Sequence, residues 1–373
     1  METQISQSWQ RVLDCADELR STYSLVHGAS GPGVALYGAG ATGLDAVEYL
    51  GKRNIRISCF IDNSPQKQGT LLAGIPVVPV GDPQATSAPL ALITTRAEIP
   101  QIGRRLTEEG IRSIPFLGFY VLDNLDRYAE VRNRILDDDQ SRICLDALLA
   151  AMLTGRLRHL AEVMNETPYF CLPHFQDIGE EHFVDAGAYV GDTTELFLWR
   201  NTGLFRQIHL FEPGVQQFRA LQRRMERLVQ EWALDTGRIS MVNAGLAEED
   251  GRACFGTTST KLAATALLDD AACAELPDVE LRSIDSYLER KGLPVTFIKS
   301  DIEGMEVPML RGARRSIERF RPKLAISVYH KVWDLFEVID TVRSYVPEYR
   351  FSLRHHSSNL SETVLYGWVE PEQ

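Results

Sequence analysis

Twice in this chain a short apolar run breaks directly into a glycine-rich turn and then a helical run. The first instance is Val34 to Gly43 (VALYGAGATG), and the second is His182 to Thr193 (HFVDAGAYVGDT). A buried strand that turns on glycine into a helix is the opening of a parallel α/β unit. Two such openings about 150 residues apart, in 373 residues, point to two sheet domains. Around the first, apolar runs at Ile55 to Ile61, Pro76 to Val80 and Leu90 to Thr94 read as strands. The run to Leu50 and Ile99 to Glu109 read as helices. From about Val121 to Val163 strand signals vanish, and LDALLAAMLTGRLRHLAEV has helical spacing. From Tyr169 onward HFVDAG, QIHLFEP, ISMVNAG, VTFIKSD and KLAISVY end in polar or glycine-rich turns. After Glu212, the residues Phe218, Leu221, Met225, Leu228 and Trp232 recur at helical spacing. YRFSLRHHS and ETVLYGWV form a closing strand pair.

The expected architecture is α/β, with two Rossmann-like parallel-sheet domains joined by a helical connector. Its parts are an N-terminal helix (1–30), a nucleotide-binding-type domain (31–122), a connector (123–168) and a larger domain (169–373). The breaker cluster Gly28 to Gly33 (GASGPG) separates the opening helix from the first strand. A formal net charge of -12 argues against nucleic acid as a partner. Six scattered cysteines (Cys15, Cys59, Cys144, Cys171, Cys254, Cys273) show no zinc spacing and suggest reduced thiols in the cytoplasm. The start of the chain lacks a signal-peptide pattern, and no apolar run approaches the roughly 20 residues of a membrane span. A homo-oligomer stays open.

In the first loop Gly38, Gly40 and Gly43 form a GxGxxG, and Asp62 stands after the second strand where a ribose-binding acid is expected. A nucleotide, NAD(P) or a purely structural role fit this pattern, and no hydride-transfer acid or base accompanies it. The stretch resembles the small N-terminal domains of bacterial surface-sugar-modifying enzymes.

The second loop differs, because Asp185 closes its strand and its glycines, Gly187 and Gly191, are four apart. Glu212 ends the next strand, and Asn243-Ala244 follows the third. The strings VDAGAYVGDTTELF, FEPGVQQFRAL, FIKSDIEGMEVPMLRGA, PKLAISVYHKVWDL and LRHHSSNLSETVLYGW resemble the FkbM methyltransferase family. The resemblance implies a class I methyltransferase fold with a mostly parallel seven-stranded sheet, S-adenosylmethionine as cofactor, and O-methylation of hydroxyls on sugars or natural products. It assigns Asp185, Gly187, Tyr189, Asp192, Thr193, Glu212, Asn243 and Ala244 to the cofactor. Within that set Asp185 would orient the methionyl ammonium, Glu212 would hold the ribose hydroxyls and Asn243-Ala244 the adenine. Gly214 departs mildly from the family, which often has a polar residue there.

Ligands of open α/β sheets bind beyond the carboxyl ends of the strands. Lys299, Asp301, Glu303, Gly304 and Glu306 lie there, as do Tyr329-His330-Lys331 with Asp334, and Arg354-His355-His356 with Glu362. A neutral hydroxyl is a poor nucleophile, so a base or a metal must help remove its proton. Asp301, His330 and His355 are expected to converge, either as ligands of a divalent metal or with His330 as a lone base. Arg354 and Lys331 are expected to meet an anionic substrate or solvent, and Asp285 to cap its helix. The competing function is a non-catalytic two-domain nucleotide sensor, and the competing acceptor is a secondary metabolite.

Overall fold

The computed structural model describes residues 2–27, 33–175, 179–254 and 278–370. The breaker cluster, apart from Gly33, and Cys273 lie outside the described residues. Among those described, the cysteines are free, and no helix is long and apolar enough to cross a membrane. Contacts divide the chain into two compact units: Met1–Met164 with Leu353–Ser361, and Asn165–Ser352 with Glu362–Gln373. The helical segment expected as a connector therefore packs within the first unit.

The first unit holds β1 (Val34–Tyr37), β2 (Ile57–Ile61), β3 (Leu71–Leu72), β4 (Ile75–Val78), β5 (Ala91–Ile93) and β6 (Ser113–Pro115). They form one sheet in the order β3-β4-β2-β1-β5-β6, parallel except for the β3–β4 hairpin. That hairpin turns on Ala73 and Gly74, both at positive φ, as a two-residue turn between right-twisted strands requires. Gly43 opens the first crossover helix, Ala41–Gly51, and a Cβ there would lie 2.5 Å from the Gly38 carbonyl. Its glycine is thus explained by helix-on-strand packing alone. In the helical part, the buried Arg132 forks onto Asp146 with contacts of 2.8 and 2.9 Å.

The second unit holds β7 (His182–Ala186), β8 (Gln207–Phe211), β9 (Ile239–Val242), β10 (Gly245–Leu246), β11 (Gly251–Cys254) and β12 (Asp278–Arg282). It continues through β13 (Phe297–Ser300), β14 (Lys323–Ser327), β15 (Arg350–His355) and β16 (Thr363–Trp368). The main sheet has seven strands in the order β15-β16-β14-β13-β7-β8-β9. The pairs from β14 through β9 are parallel, and β16 runs antiparallel to β14. Strands β10, β12 and β11 form a small separate sheet. Strands β7 and β13 sit mid-sheet and are buried almost throughout, Asp185 and Lys299 included. The order reverses at β7, with β8 on one side and β13 on the other. A crevice at the carboxyl ends of these strands is the place where such a sheet takes a ligand.

Candidate active site

That crevice is a cavity of about 600 Å³, lined by residues following β7, β8, β9, β13 and β14 and by Glu362 before β16. Its first half is built from backbone. Gly187 has φ of +76°, and a Cβ there would lie 2.0 Å from the Asp301 carbonyl oxygen, so no other residue lets the two strand ends close. Tyr189, also at positive φ, donates its amide to Glu212 Oε2 at 2.9 Å. Gly214 donates its amide to Oε1 at 2.7 Å. Burial pushes the Glu212 carboxyl up to about 7 despite these two hydrogen bonds and nearby Lys299. Asp192, Thr193, Ala244 and Leu246 complete this end.

Two residues expected at the cofactor lie elsewhere. Asp185 is fully buried and off the cavity wall. Its Oδ1 lies 3.0 Å from Lys299 Nζ, and its Oδ2 accepts the Thr194 hydroxyl at 2.8 Å. The register explains the pair, since Lys299 on β13 stands directly beside Asp185 on β7. Lys299 Nζ also donates to the Gly187 carbonyl at 2.9 Å. Asp185 is thus committed to an internal ammonium and does not face a ligand's. Asn243 is exposed and off the cavity wall, its Nδ2 donating to the carbonyls of Glu212 and Pro213 at 2.8 and 3.1 Å.

The other half is acidic. Asp301, Glu303 and Glu362 line it together with Tyr169 and Tyr329. The Asp301 side chain accepts the Tyr169 hydroxyl at 3.1 Å and the Tyr329 hydroxyl at 3.0 Å, and Tyr329 also lies 3.2 Å from Glu362 Oε1. Burial works to raise the Asp301 carboxyl, but His330 and Lys299 hold it well below the usual carboxylate range. Glu362 moves the other way, raised by burial and by the charge of Asp301.

His330 stands behind Asp301, nearly buried and off the cavity wall. Its Nδ1 lies 2.9 Å from Glu306 Oε1 and its Nε2 lies 3.3 Å from Asp301 Oδ1. Burial pulls the ring down, yet Glu306 and Asp301 outweigh it and push the imidazole up to about 10. The ring therefore bridges two carboxylates through its two nitrogens. Asp301, Glu306 and His330 offer ligand-type atoms within 4.8 Å of one another. The expected metal partner His355 is replaced in this group by Glu306.

His355 does not join this group. It lies at the end of β15, beyond β16 from β14, and Leu353–Ser361 counts with the first unit. Burial, then neighbouring His356, pushes its imidazole down to about 4. Arg354 is held by Asp138 and Ser141 of the first unit, and neither it nor Lys331 lines the cavity. Asp285 does not cap its own helix, since Ser283 does that. Its carboxylate accepts the amides of Arg315 and Ser316 at the start of another helix.

In the first unit Gly38 has φ of +112° and Gly40 precedes the helix. Asp62 is occupied within its own loop, accepting the Ala39 and Ser64 amides at 2.9 and 2.8 Å and pairing with Lys67 at 3.1 Å. Lys67 also donates to the Ala39 carbonyl at 2.7 Å. These bonds brace the glycine loop.

A family model described as the methyltransferase FkbM domain matches residues 185–353. The stretch begins at Asp185 on β7 and ends within β15, so it contains most of the cavity lining but not Pro168, Tyr169 or Glu362. Residues 185–353 thus carry a methyltransferase FkbM domain. The crystal structure of the methyltransferase FkbM of Methylobacillus flagellatus KT aligns with 98% of this chain and all of its own, with a TM-score of 0.62 and 23% identity. At that identity it shows the fold, here for almost the whole chain. A putative methyltransferase of Streptococcus mutans in complex with SAH aligns over 56% of this chain and 93% of its own, at 11% identity. Its TM-score of 0.29 is too low to decide anything. The redox-sensing transcriptional repressor Rex of Brevibacillus brevis is 40% identical over 88 residues, 22% of this chain. The match spans 42% of the repressor, so less than half of that relative is represented.

Tyr169 had no functional role in the sequence reading, and Lys299, Tyr329 and Glu362 were only among several polar strand-end residues. Lys299 carried one visible signal, a charge inside an otherwise apolar strand run (VTFIKS). Tyr169 precedes β7 by more than ten residues and gives no signal of its own.

Proposed function

We propose that this chain is an S-adenosylmethionine-dependent O-methyltransferase acting on a hydroxyl of a sugar, glycoconjugate or nucleotide-sugar. One observation carries the reading: a single cavity joins the Glu212 carboxylate at one end to the Asp301, Tyr329 and Glu362 oxygens at the other. The cofactor supplies an electrophilic methyl group for in-line displacement. Glu212 suits the ribose, since a carboxylate can accept both hydroxyl protons, and Gly187, Tyr189, Asp192, Thr193 and Ala244 wall the rest of the cofactor. Lys299 neutralises Asp185 and holds the Gly187 carbonyl, fixing the turn beneath the methionyl part.

At the acceptor end Asp301 is kept ionised and aimed by two tyrosines and His330, so it orients the incoming hydroxyl. Glu362, whose raised pKa makes it the stronger base, takes the proton as the methyl group is transferred. The base role thus falls to Glu362 instead of His330, and no metal is required. Full-length protein incubated with methyl-labelled S-adenosylmethionine and a set of hexoses and deoxyhexoses should place label on oxygen. Chelator should leave the rate unchanged. Loss of activity on chelation, restored by a divalent ion, would return the metal to the mechanism.

The sensor reading has less support, because the cavity retains both a ribose-type acid and a base at its far end. The glycine loop of the first unit we read as structural or nucleotide-binding. The choice is testable by titrating NAD(H) against Asp62→Ala.

A further inference from the structure

The donor–acceptor balance at the far end of the cavity restricts the acceptor's chemistry, on the reading that this cavity is the active site. Among the described residues lining the cavity, Lys299 is the only cation, and its Nζ is already directed at Asp185 and the Gly187 carbonyl. The hydroxyls of Tyr169 and Tyr329 are donated to Asp301, or are shared with Glu362. The Ile302 amide is donated to Glu306. His330 directs both ring nitrogens at acids, the nearest being Glu306 and Asp301, with Glu303 Oε2 at 3.9 Å. What this wall offers a ligand is carboxylate oxygen from Asp301, Glu303 and Glu362. An ionised carboxylate accepts hydrogen bonds and donates none, and each has lone pairs beyond those engaged here.

We infer that the acceptor is a polyol that brings its own hydrogen-bond donors, either neutral or bearing an ammonium group, such as an amino sugar. An acceptor with phosphate or carboxylate beside the reacting hydroxyl is disfavoured. A ligand hydroxyl or ammonium completes the wall, whereas among the described residues a phosphate oxygen would meet three acids and side-chain donors already directed at them. Of the three acceptor classes proposed above, this disfavours a nucleotide-sugar methylated close to its phosphates. The raised carboxyl of Glu362 agrees, since Asp301 already makes negative charge costly there.

The test is calorimetric titration of the full-length protein, saturated with S-adenosylhomocysteine, with glucosamine, glucose and glucose 6-phosphate. Glucosamine should bind tightest and glucose 6-phosphate about tenfold or more weaker, the difference expected from one like charge or one unmet hydrogen bond. Glu303→Lys, at a partly exposed position, should narrow or reverse that order. Glucose 6-phosphate binding as well as glucosamine, or no order among the three, overturns the inference. Failure of S-adenosylhomocysteine itself to bind would instead remove the functional reading beneath it.

Discussion

Glu362→Gln should lower kcat by about 10²–10⁴-fold, the usual contribution of a positioned general base, while leaving affinity for S-adenosylhomocysteine unchanged. Glutamine keeps the shape and can still accept from Tyr329, so folding should be preserved and the loss should fall on turnover. The pH profile gives an independent readout. Ionised Glu362 is the active form, so the wild-type rate should rise with pH until the carboxyl is deprotonated. Its raised pKa places that rise above the ordinary glutamate range. In Glu362→Gln this limb should disappear. A variant with wild-type kcat and an unchanged profile would remove Glu362 from the mechanism.

Breaking the Asp185–Lys299 pair should have the largest effect on stability. Both side chains are buried, and Asp185 without its ammonium would be an uncompensated charge in the middle of the sheet. Lys299→Met should therefore cost about 3–5 kcal/mol, a value typical of a buried pair broken on one side. At roughly 2–4 °C per kcal/mol for a domain of this size, the melting temperature should fall by about 6–20 °C. The double replacement Lys299→Met with Asp185→Leu should recover much of the loss, because removing both charges also removes the burial penalty. Equal stability of Lys299→Met and wild type in denaturant titration would contradict the assignment.

The same pair shows where sequence reasoning stopped. Asp185 was legible as a strand-ending acid and Lys299 as a polar residue in an apolar strand, but their partnership depends on β7 and β13 being neighbours in register. Local features were recovered well: β1, β7, β8, β13 and β14 lie where apolar runs meet polar or glycine turns. The closing β15–β16 segments were also legible as a strand pair. The two-residue β3 and the three-residue β6 were not, since such short strands leave too few residues for a period to show. His355 went wrong for a topological reason. Position at a strand end says nothing about which strand lies between, and β16 inserts between β14 and β15. His330 was found, but its role changed once Glu306 and Asp301 were seen to face its two nitrogens.

The central claim is that this cavity holds the methyl donor through Glu212, and it is tested most directly by calorimetric titration of S-adenosylhomocysteine. Ribose hydroxyls donate best to an ionised carboxylate, and burial pushes the Glu212 carboxyl up to about 7. Wild-type affinity should therefore strengthen as pH rises from about 6 to 8, with a proton released on binding. Glu212→Ala should bind on the order of 100-fold more weakly, from the loss of two charge-assisted hydrogen bonds, and show no such pH dependence. Unchanged affinity in Glu212→Ala across that range would contradict the account.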